Sequence, residues 1–175
     1  MKFQLKIIDL HWISGAKDDP SDLCLHGRVF IKIGDEIIDG ENDVWTVSAG
    51  AYRMLETLFD NHIPHSTPEE HLMPCCGHFM FIDEKTDKLI ISGCPNGLEW
   101  TVLHESDTIR LITDSNTQIA MPFEEYKSIV FEFADKIESF YNKCSPKDFD
   151  DDFNRQNFQR FWKDWRKMRS YNHTE

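Results

Sequence analysis

Between His78 and Met121 the chain alternates apolar and polar residues in short runs separated by breaks of only a few residues. A parallel crossover needs about a dozen residues or more, so strands joined this closely pair antiparallel. His78 to Ile82 and Leu89 to Ser92 flank Asp83-Glu84-Lys85-Thr86-Asp87-Lys88, which reads as a hairpin connection. Cys94-Pro95-Asn96-Gly97 reads as a second turn, because Asn-Gly is a strong hairpin signal. Leu98, Trp100 and Val102 then alternate with Glu99 and Thr101, and Ile109 and Leu111 follow the turn at Glu105-Ser106-Asp107. Asp114-Ser115-Asn116 turns the chain again before Gln118 to Met121. The expectation is an antiparallel meander.

The N-terminal part adds strands of its own. Phe3, Leu5 and Ile7 alternate with Gln4 and Lys6, and then the phase slips so that Ile8, Leu10 and Trp12 continue on the other parity. Such a slip suits a bulge or a strand end. Residues 14–22 form a loop by composition, and Leu23, Leu25, Val29, Ile31 and Ile33 share one parity of a half-buried strand. Gly34-Asp35 turns that strand into a short partner at Glu36 to Ile38.

Three helices are expected. The first runs from about Ser48 to Asn61, with Ser48 as its cap and Ala51, Leu55, Leu58 and Phe59 as its stripe. Pro64, Pro68 and Pro74 then enforce a long connection. Pro122 opens the second helix, and Phe123, Tyr126, Ile129, Val130, Phe133, Ile137, Phe140 and Tyr141 recur at helical spacing as far as Asn142. After Ser145-Pro146, a third helix over about residues 150–169 carries Phe158, Phe161, Trp162, Trp165 and Met168 on one stripe. Its acidic start and basic end match the helix dipole. The fold class is therefore α+β: an antiparallel meander sheet of about six to eight strands covered by three helices. With 175 residues, one domain spanning the chain is expected, with residues 170–175 disordered.

Charge limits the partners. The chain holds 19 Lys+Arg against 31 Asp+Glu, a net charge of -12. Nucleic-acid binding needs a basic face, so it is not expected. No apolar run approaches the roughly 20 residues of a membrane span, and the opening residues read as a strand and not as a signal peptide. Five cysteines, an odd number, read as reduced thiols, so a cytoplasmic protein is expected. The charge is also uneven. Residues 1–145 hold 25 acids and 12 bases, whereas residues 146–169 hold 7 bases and 5 acids. The bases of the third helix alternate with aromatics on a single stripe, which reads as core packing plus a solvated face.

Candidate chemistry gathers between His62 and Cys94. His71, Cys75, Cys76 and His78 are zinc-ligand types, with His62 and His65 upstream. Adjacent Cys75 and Cys76 point to opposite faces if extended, so one of them at most joins His78. The alternative metal set is His71, Cys76, His78 and Cys94; otherwise no metal and no cofactor is expected. Cys76 or Cys75 with His78 or His104 is the corresponding thiol-nucleophile alternative. His104-Glu105-Ser106-Asp107 holds the residue types of a triad, but packed into one tight turn it reads as a polar connection. No nucleophile elbow, phosphate loop or dinucleotide fingerprint is present, so no enzyme is expected. The partner-binding candidates are instead Asp35, Glu36, Asp39, Glu41 and Asp43, within nine residues and next to Trp45. An acidic face with an aromatic anchor steers and grips a basic protein.

This layout resembles that of bacterial immunity proteins of the polymorphic-toxin and contact-dependent-inhibition systems. The resemblance rests on the acidic run Asp35 to Asp43, the absent signal peptide and a sheet with helical covers. It implies tight binding to a cognate toxin domain, whose basic substrate cleft is covered by fixed carboxylates. No family residue transfers by position. The alternatives are a zinc- or thiol-dependent protein using the His62–Cys94 region, and a plain protein-interaction domain.

Overall fold

The phase slip at the N-terminus is a bulge. In the computed structural model, which describes residues 2–64, 71–75 and 78–170, strand β1 (Phe3–His11) pairs antiparallel with β2 (His26–Ile33), and the register shifts between Ile7 and Asp9. The slip leaves Ile8 exposed and turns Trp12 into the core. On β2, Val29, Ile31 and Ile33 point inward and are fully buried. That strand starts later than its parity suggests, because the preceding residues are held by side chains. Asp22 accepts from Cys24 N–H at 2.9 Å, while Leu25 N–H donates to Ser48 Oγ at 3.1 Å and to Tyr141 Oη at 3.1 Å. The third strand, β3 (Glu36–Trp45), is much longer than expected and lies at the end of the sheet, in the order β1-β2-β3.

Helix α1 (Val47–Glu56) is shorter than expected. Ser48 does not cap it, since its hydroxyl is taken by the backbone of Leu25, just before β2. Three strands follow the proline-rich connection, part of which lies outside the described residues: β4 (Met73–Pro74), β5 (His78–Asp83) and β6 (Lys88–Gly93). Beyond them come β7 (Gly97–Leu98), β8 (Thr101–Glu105), β9 (Thr108–Ile112) and β10 (Gln118–Pro122).

The α+β class holds, but these strands do not make one meander. Among the described residues they form separate small sheets: β5 with β6, β4 with β7, and β8-β9-β10. Asn96-Gly97 is the cause. It does not close a hairpin between β6 and β8; Gly97 pairs with Pro74 and Leu98 with Met73, which takes the chain away from β6.

Helix α2 (Phe123–Tyr141) follows β10 directly, with Pro122 as its N-cap. It packs on α1 and β1, burying Tyr126, Val130, Phe133 and Ile137. Helix α3 (Asp152–Arg169) is capped by Asp151, which accepts from Asn154 N–H. It docks Phe158, Phe161, Trp165 and Met168 as its stripe predicts, while Trp162 of that stripe is only half-buried. Of the expected disordered tail, Ser170 is the C-cap of α3, and residues 171–175 lie outside the described residues. The buried side chains form one hydrophobic cluster.

Candidate functional site

The acidic run is divided by β3 into a structural half and an exposed half. Asp39 and Trp45 belong to the interior. Asp39 is 5% exposed and accepts from the Trp45 indole N–H and, at 2.9 Å, from Glu41 N–H; Trp45 itself is 7% exposed. Both are therefore corrections to the expected binding face. A buried carboxylate needs donors, and the indole supplies one. Glu36 is half-buried and accepts from Thr113 Oγ1 at 2.5 Å, which ties β3 to the turn between β9 and β10. Hydrogen bonds from the Ser115, Thr113 and Thr117 hydroxyls hold its carboxyl below the ordinary glutamate range.

Asp35, Glu41 and Asp43 are exposed. Residues 41–43 have no ladder partner, since Gly40 pairs with Phe30 and Val44 with Arg28. They bulge out at the sheet edge, with Glu41 in the left-handed region at φ 79°. Among the described residues none of the three carboxylates makes an ion pair. Ile37 and Val44 lie exposed on the same strand, at 57% and 41%. The bulge thus carries Glu41 and Asp43 beside exposed Val44, while Asp35 lies in the turn that opens β3, near exposed Ile37.

The His62–Cys94 region is assembled differently from the expected metal set. Cys76 and the side chain of His78 lie outside the described residues, as does His65. Among the described residues no group of three or more His, Cys, Asp or Glu converges on a metal position. His62 instead pairs with Glu99, Nε2 to Oε2 at 2.8 Å, while the other carboxylate oxygen accepts Leu72 N–H at 2.5 Å. His62 also forms a two-way backbone bridge with Val102 of β8. Cys75 faces Cys94, with the sulfurs 2.7 Å apart. His104 is structural, its Nε2 lying 2.9 Å from the Thr57 carbonyl, and Glu105 is an ion-pair partner of Arg110.

Two adjoining open cavities, of about 250 and 510 Å³, follow the C-terminal half of α1 where it faces β6 and α3. Both are lined by Tyr52, Glu56, Asp60, Lys88 and Leu89. In the larger one Arg160 is already engaged by Asp87 and Asp164, so its charge is spent within the fold. Arg169 is similarly paired with Asp135 and lies over the Phe131 ring.

No family model matches the chain, and comparison with curated proteins and with solved structures gives no match. Among the described residues no helix is long and apolar enough to cross a membrane.

Proposed function

We propose that this protein is an immunity-type binding protein, which holds the acidic rim of β3 against a basic protein partner, a cognate toxin domain, and so neutralises it in the bacterial cytoplasm. The observation that carries this reading is the exposure of Asp35, Glu41 and Asp43 without intramolecular ion pairs among the described residues, beside exposed Ile37 and Val44. Unpaired carboxylates fixed on a sheet edge attract a basic surface over several ångströms, and the net charge of -12 adds to that field. The two apolar side chains supply area to desolvate on contact. Trp45 serves the rim from below: by holding Asp39 it fixes the backbone on which Glu41 stands. Inhibition follows if the rim covers the basic cleft through which such a toxin takes its substrate.

The test is a search for an adjacent reading frame whose product ends in a short basic domain, followed by co-expression of that domain with this protein; absence of any such frame counts against the reading. Co-purification at moderate salt, loss of that domain's activity and an association rate lowered roughly tenfold by Glu41→Lys with Asp43→Lys support the reading. Failure to co-purify sinks it. An unchanged association rate moves the contact away from β3, and binding without loss of the partner's activity leaves a plain interaction domain.

A further inference from the structure

Cys75 and Cys94 are brought together by strand register. The β4–β7 ladder pairs Pro74 with Gly97, and Cys75 N–H extends it by donating to the Asn96 carbonyl at 3.0 Å. Gly97 makes this approach possible, because a Cβ there would fall 2.4 Å from His71 Cβ. The chain folding back through Pro95 then sets Cys94 beside Cys75, with Sγ to Sγ at 2.7 Å and both residues half-buried.

The two sulfurs are in contact, which puts each thiol within reach of the other for thiol–disulfide exchange. Among the described residues no third His, Cys, Asp or Glu converges with them on a metal position. We infer that Cys75 and Cys94 are a disulfide-forming pair, oxidised by a low-molecular-weight disulfide of the glutathione class. One thiolate attacks a sulfur of the oxidised reagent and releases one reduced thiol. The second protein thiolate attacks the mixed disulfide and releases the other. Two protein thiols become one disulfide, the reagent takes up both electrons, and its two thiols take up the two protons.

The bond links residues 19 apart and closes a loop over the β5–β6 hairpin. That hairpin is also tied to α1 by Arg53, which donates to the Ile91 carbonyl. Oxidation therefore clamps the hairpin at its base.

The experiment uses the full reduced chain, excess oxidised glutathione and alkylation of the remaining thiols, on the wild type and on Cys75→Ser, Cys94→Ser and Cys76→Ser. The wild type and Cys76→Ser should each lose two alkylatable thiols, joining the peptides that carry residues 75 and 94, and dithiothreitol should restore them. Their unfolding midpoint should rise on oxidation by about 5–10 °C. Cys75→Ser and Cys94→Ser should stop at mixed disulfides and show no such rise. Loss of the cross-link in Cys76→Ser overturns the assignment, as does uptake of glutathione without a cross-link, or zinc that co-purifies and blocks oxidation until it is chelated. Should Cys75→Ser fail to fold, Cys76→Ser alone decides, since trypsin then places each remaining cysteine on its own peptide.

Discussion

The indole N–H of Trp45 donates to the carboxylate of Asp39, six residues earlier on the same strand, with both side chains buried. Asp39 Oδ1 also accepts Glu41 N–H at 2.9 Å, so one carboxylate serves two donors at the base of the acidic bulge. Asp39→Ala leaves the indole and a backbone N–H without their acceptor and should cost about 1–3 kcal/mol in urea unfolding. Glu41→Ala and Asp43→Ala, on the exposed rim, should stay within about 0.5 kcal/mol. Equal losses at all three positions would contradict the division of the run into a structural and an exposed half.

On α2, Phe133 is 1% exposed, whereas Phe131 is half-buried and lies under the Arg169 guanidinium, 3.7 Å from its ring centroid. Phe133→Ala opens a cavity in the cluster between α2 and the sheets and should cost about 3–5 kcal/mol. Phe131→Ala should cost less, because it removes a stacking surface and leaves the core filled. Denaturant midpoints with unchanged m-values check both, and a loss below about 1 kcal/mol at Phe133 would reverse the assigned face of the helix.

Much of what depends on local spacing was legible in the sequence. The stripe of α2, the aromatic stripe of α3, the slip at Ile7 to Asp9 and the inward parity of Val29, Ile31 and Ile33 all follow from side-chain period alone. The failures share a different cause. Asp39 reads as a surface acid until Trp45 bonds to it across a bulge, and no periodicity marks that bulge. Cys75 with Cys94 and His62 with Glu99 are separated by 19 and 37 residues, so only tertiary pairing brings them together. Ser48 has the right chemistry for a cap, but the backbone of Leu25, just before β2, claims its hydroxyl.

Asn96-Gly97 is the plainest case, and it gives a prediction. Gly97 lies under His71, and an added Cβ would also fall 2.8 Å from the Met73 carbonyl oxygen. One of these contacts is backbone, so the ladder itself must give way. Gly97→Ala should cost about 1–3 kcal/mol, as overpacking of a tight site does. It should also slow formation of the Cys75–Cys94 cross-link by spoiling the register that aligns the sulfurs. A Gly97→Ala protein as stable as the wild type would show that β4 and β7 do not pair this closely.

His26 gives the fold an acid limit near neutrality. It is 6% exposed, and burial pushes its pKa below the ordinary 6.5, against the attraction of Asp22 and with the help of the nearby His11. Folding thus favours the neutral ring. Above 6.5 both folded and unfolded chains carry it neutral, and its contribution is constant. Below 6.5 the unfolded chain binds the proton first, so stability falls with pH until the folded value is passed, then levels. The slope cannot exceed about 1.4 kcal/mol per pH unit for one group. His26→Gln cannot titrate, so its deficit relative to the wild type should be constant above 6.5 and shrink as the pH falls below it. Urea unfolding of both proteins across about pH 5 to 8 reads this directly; parallel curves over that range would mean that the ring keeps its ordinary affinity for the proton when the chain folds.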